Sequence, residues 1–95
     1  MQEIPRKGRK TATELGALRI ARTGLGLREA AKRFRIGKSY LAGIENGSMS
    51  AGDEPIARLA KMLGMSEARI QRMALTARLA WLKRQICAVE KQLEG

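Results

Sequence analysis

Apolar residues recur along most of this chain at helical spacing, in short runs that glycines interrupt. The first run holds Leu15 and Leu18, continued by Ala21 or Arg22, with Thr11 or Thr13 able to cap it, Glu14 in its first turn and Gly24 at its end. Leu27, Ala30, Ala31 and Phe34 then mark one face of a helix over 27–34, with Arg28, Lys32 and Arg33 off that face. Gly26 stands at its N-cap and Glu29 near its positive end. Arg35-Ile36-Gly37 breaks the pattern. A third helix follows from Lys38 to about Asn46, with Leu41 and Ile44 inward and Gly47 suited to the left-handed position after it.

Ser48 to Gly52 reads as a small-residue loop, after which Asp53 caps a helix that tolerates Pro55 in its first turn and turns Ile56, Leu59, Ala60 and Leu63 inward before Gly64. Ser66 caps the last helix, and nothing from Glu67 to Glu94 breaks it. Such a helix spans about 42 Å, more than a small domain uses internally. Two stripes run along it. Ile70, Ala74, Ala77 and Trp81 are placed to dock on the globular core. Leu75, Leu79, Leu82, Ile86, Val89 and Leu93 are spaced alternately four and three apart, the heptad pattern of a helix that pairs with another. An amphipathic helix folded over its own domain is the other reading of that stripe, and dimerisation is preferred. The flanking charges favour an antiparallel pair, which sets Lys83 near Glu90 of the second chain.

The expected fold class is therefore all-α, in three parts: a disordered basic arm over 1–10, a globular domain over 11–65 and a long dimerisation helix over 66–95. Composition agrees, since one Phe, one Tyr and one Trp leave Leu, Ile, Ala and Met to build the core. Charge sharpens the picture. Residues 1–44 carry eleven basic and three acidic side chains, against eight and six in the remainder, so the positive field sits on the arm and the first helices. A polyanion is the natural partner of that half. With no His, one Cys and no paired acids, the chain offers neither a zinc cluster nor a catalytic constellation, so no cofactor, metal or enzymatic activity is expected. Cys87 reads as a small residue in a helix, or less readily as the site of an intermolecular disulfide. Arg6 to Lys10 is not followed by the apolar stretch of a leader, and no run approaches membrane-spanning length. A cytoplasmic location without membrane contact is expected.

The block Leu25 to Gly47, LGLREAAKRFRIGKSYLAGIENG, is two short helices about a tight turn, a helix-turn-helix candidate. Its residues resemble the phage-repressor, Cro and Xre type of helix-turn-helix DNA-binding protein, in the variant whose first helix begins Leu-Arg-Glu. The likeness runs from about Leu15 to Met65, because the stretch Ile56 to Met65 is similar to the closing helix of that five-helix domain. There are departures: Gly26 and Gly37 stand where the family often has a Ser or Thr cap, and Leu27 where many members carry a phosphate-binding Gln.

The resemblance implies that the second helix of the motif enters the major groove of double-stranded DNA. Carried over by position, Lys38, Ser39, Ala42 and Gly43 would meet the bases. Asn46, Arg28, Arg35 and Ser48 would hold the DNA backbone. Tyr40 either packs in the turn or bonds a phosphate, and Glu45 is better suited to an internal salt bridge than to DNA. Arg6, Lys7, Arg9 and Lys10 either solubilise the arm or add contacts to phosphates or the minor groove. The implied function is a homodimeric repressor of an inverted-repeat operator, its own promoter being one candidate, associated with the nucleoid when bound. An antitoxin-like protein whose C-terminal helix grips a partner protein is the alternative. RNA binding is disfavoured by the scarcity of aromatic residues for stacking.

Overall fold

The computed structural model describes residues 13–94, which form five helices with no strand among them. They are α1 (Glu14–Thr23), α2 (Leu27–Phe34), α3 (Lys38–Asn46), α4 (Asp53–Leu63) and α5 (Glu67–Glu94). The basic residues expected to form an arm, Arg6, Lys7, Arg9 and Lys10, lie outside the described residues.

Local chemistry sets most of the helix ends. The Thr13 hydroxyl accepts from the Gly16 N–H at 3.3 Å, and the Ser66 hydroxyl from the Arg69 N–H at 3.2 Å, each satisfying an orphan donor of a first turn. Gly24, Gly47 and Gly64 take positive φ after α1, α3 and α4, where any other residue would be strained. One cap differs from the sequence expectation: Gly52, not Asp53, holds the N-cap of α4, and Asp53 begins the helix. Asp53 and Glu54 then act as first-turn carboxylates at the positive helix end.

The core gathers one face from every helix: Leu15 of α1; Ala30, Ala31 and Phe34 of α2; Leu41 and Ile44 of α3; Ile56, Leu59, Ala60 and Leu63 of α4; Ile70 and Ala74 of α5. Ile36, expected only as a turn residue, is buried with them. Arg35 makes this possible. It adopts φ 60°, a left-handed conformation unusual for a side chain larger than Asn, and so drops Ile36 under the turn between α2 and α3. The Arg58 guanidinium donates to the Arg35 carbonyl at 2.6 Å and fastens the turn to α4.

The first turns of α5 belong to this core, and its stripe of Ile70 and Ala74 continues through the half-buried Ala77 and Trp81. Every residue from Leu82 to Glu94 is exposed. The heptad stripe is uncovered, with Leu75, Leu79, Ile86 and Val89 each more than half exposed. The helix does not fold its second apolar face over its own domain.

Candidate nucleic-acid interface

Helices α2 and α3 stand on α1, α4 and the base of α5, and what remains exposed on them is basic. Arg28, Lys32, Arg33, Arg35 and Lys38 are solvent-facing, against one exposed carboxylate, Glu29. The second carboxylate of this region, Glu45, is turned inward. Its Oε2 accepts from Arg19 Nε at 2.6 Å and its Oε1 from Arg19 Nη2 at 3.1 Å, a bidentate pair in which both side chains are about nine-tenths buried. Arg19 Nη1 also donates to the Leu25 carbonyl at 2.7 Å, tying the segment before α2 to the same pair. Buried charge is tolerated because every part of it is bonded. The pair keeps Glu45 off the surface of α3, which is left with a lysine and no exposed acid.

Gly16 lets the pair come so close to α1: a Cβ there would stand 3.0 Å from Glu45 Oε1. Arg19 escaped the sequence reading because arginine is a surface residue by type. Its place four residues after Leu15, on the buried face of α1, was the available signal.

On α3 itself, Lys38 and Ser39 are exposed in the first turn, Ala42 is half-buried one turn on, and Asn46 is exposed in the last turn. The Asn46 Oδ1 accepts from the Ser48 N–H at 2.8 Å, which leaves its amide N–H groups pointing away from that bond and able to donate. Neither α2 nor α3 has a side-chain cap at its N-terminus, since Gly26 and Gly37 carry no acceptor. Their first N–H groups are therefore not consumed by caps.

Gly43 is placed otherwise than the sequence suggests, and Tyr40 takes up the packing that the sequence offered as one of its two roles. Gly43 is buried, with the Met49 side chain lying over it, so it presents no surface of its own to a base. Tyr40 uses its hydroxyl within the chain, accepting from the Gly52 N–H at 3.1 Å and pairing with the Ser50 carbonyl at 3.4 Å. Tyr40 is thus a strut between α3 and the following loop.

The end of α3 is also locked to α5. A Cβ on Gly47 would run into the Ala77 carbonyl and lie 2.9 Å from the Arg78 nitrogen, so the two backbones meet there without a side chain between them. Arg78 Nη1 donates to the Gly47 carbonyl at 2.9 Å, a cation at a helix C-terminus, and its guanidinium lies over the Trp81 ring at 5.5 Å. Whatever holds α5 also holds α3. No group of residues able to hold a metal ion occurs among the described residues, and none of the described helices is long and apolar enough to cross a membrane.

A comparison with known families finds that residues 12–73 match the family model described as a helix-turn-helix domain. No curated protein and no solved structure matches the chain.

Proposed function

The chain belongs to the helix-turn-helix domain family, a DNA-binding family, and on that premise we propose that it is a sequence-specific regulator of the phage-repressor, Cro and Xre type. It binds as a homodimer to an inverted repeat and represses by occupying it. The observation that carries this reading is the exposed face of α3: a lysine, a serine, a small apolar side chain and an asparagine, cleared of carboxylate by the inward turn of Glu45.

Each residue then has a role. Lys38 donates to guanine O6 and N7, Ser39 bonds base edges, and Ala42 touches a thymine methyl. Asn46, Arg28, Arg35 and Ser48 contact phosphates and set the register of α3 in the groove. The uncapped N-termini of α2 and α3 favour an anion in the same place. Among residues 1–10, Arg6, Lys7, Arg9 and Lys10 would add phosphate contacts, each steepening the salt dependence by about 0.9 in log-log slope.

The second copy docks through α5. Its stripe from Leu75 to Leu93 is uncovered over its whole length, and it does not stop at Leu75. Ala68, Arg72 and Thr76, which border Leu75 and Leu79, also line a groove against α1 whose apolar wall includes Leu18, Met65 and Met73. The groove thus runs from the base of α5, across Ala68, Arg72 and Thr76, to the start of the apolar stripe. A dimer also meets the needs of recognition, because one short helix reads few base pairs and two on a two-fold axis read twice as many.

The test of α3 as the reading helix is Lys38→Ala. Binding to the preferred duplex should weaken by about 1–3 kcal/mol, with relaxed preference at one base position. Equal losses on preferred and random duplexes would make Lys38 a phosphate contact and remove the base-reading role.

A further inference from the structure

The loop after α3 carries an apolar side chain that the roles above leave unexplained. Met49 is 44% exposed, in the loop directly after α3, where an apolar group without a partner gains nothing. It is not loosely placed. Its N–H donates to the Gly43 carbonyl at 3.1 Å, an oxygen that also accepts from Gly47 at 2.9 Å. Its side chain rests on the same glycine: a Cβ on Gly43 would lie 2.7 Å from Met49 Cγ and 3.0 Å from its Cβ and sulfur. One and three residues further on, the Tyr40 hydroxyl bonds the Ser50 carbonyl and the Gly52 N–H, so the loop is fastened to α3 at both ends.

Gly43 lies four residues after Ser39 and three before Asn46, the helical neighbours of one exposed face. The Met49 side chain fills the place that a residue at position 43 would have given its own side chain. The surface of α3 therefore has, beside Ser39 and Asn46, a thioether arm supplied by the loop. Methionine suits such a place. It is unbranched and polarizable and has no hydrogen bond to satisfy, so it fits an apolar feature of the major groove. The groove displays one such feature on natural base pairs, the C5-methyl of thymine.

We propose that Met49 is a specificity-determining residue that reads a thymine methyl in the major groove, with Gly43 as the seat that aims it. The proposal rests on α3 being the reading helix. Its consequence is that one base-pair preference comes from a residue outside that helix.

The test uses the full chain and the duplex that it selects from a randomised pool. Each thymine is replaced in turn by uracil, which removes the methyl and nothing else. For the unaltered protein, one replacement in each half-site should weaken binding about fourfold, the worth of one buried methyl-sized group. Met49→Ala should be blind to that replacement while keeping its losses at any other thymine, and Met49→Leu should keep the sensitivity in part. Gly43→Ala, which pushes the side chain off its seat, should blunt the response at the same position. Identical uracil profiles for the unaltered protein and Met49→Ala, with selective binding intact, overturn the proposal alone. A protein that selects no duplex overturns the reading helix and this proposal together.

Discussion

Among single residues, the Arg19–Glu45 pair has the largest expected effect away from DNA. It joins α1 to α3 with two bonds, and the third bond of Arg19 reaches the Leu25 carbonyl. Removing one partner strands a buried charge. Glu45→Ala should therefore lower the unfolding free energy by about 3–5 kcal/mol in a urea titration, whereas replacing both residues with apolar ones of similar volume should recover most of that loss. A loss below about 1 kcal/mol for Glu45→Ala would mean that water reaches the pair freely. Half of this arrangement is legible in the sequence. Glu45 was legible as an internal partner because a carboxylate on a DNA-facing helix repels phosphate, but Arg19 was not, since one arginine among nineteen basic residues carries no mark of burial. Ile36 was hidden for a related reason. Periodicity stops at a turn, and its burial depends on the positive φ of Arg35, which no residue type announces.

At the level of elements, the helix boundaries were legible almost throughout, because they are written in local chemistry. Thr13 and Ser66 cap, and Gly24, Gly47 and Gly64 stop. The shift of the α4 cap from Asp53 to Gly52 shows the limit: a good capping side chain one residue into the helix serves the dipole instead. What could not be read was the packing of elements on each other. Gly47 and Gly24 look alike in sequence and share a positive φ, yet α5 presses on the first, and nothing lies within 4 Å of the site where a Cβ on the second would stand. Gly24→Ala should cost about 1–2 kcal/mol, the strain of the left-handed conformation. Gly47→Ala adds a collision with the α5 backbone, and about 1–3 kcal/mol more for overpacking. Thermal unfolding of the two variants compares them directly, and equal shifts would mean that α5 is free to move away from α3. The loop over Gly43 is the other case, since a glycine within α3 reads as a gap until Met49 is seen to fill it.

Across the whole molecule, the long helix packs on α1, α3 and α4, while its last residues, Leu82 to Glu94, stay exposed. The core ends on α5 near Ala74, the half-buried Ala77 and Trp81 carry the docking stripe further, and the exposed remainder offers apolar surface to another chain. Leu82→Asp with Ile86→Asp changes only exposed positions, 39% and 57% accessible, so the fold should survive. The same pair should abolish dimerisation in sedimentation and weaken binding to a two-fold duplex far more than to a single half-site. A double variant that is still dimeric would remove the stripe from the interface. The heptad spacing was plain in the sequence, but whether it faced its own core was not, because that depends on how far the docking stripe carries the helix before the domain ends. On the proposed reading, two chains joined through α5 place two copies of α3 on one DNA site. The most direct measurement is light scattering of the pure protein, alone and on the duplex that it selects from a randomised pool. A dimer in both states and an inverted repeat with half-sites about one helical turn apart are expected. A monomer that selects an unsymmetrical site, or no site, would contradict that reading and leave the stripe to a different protein.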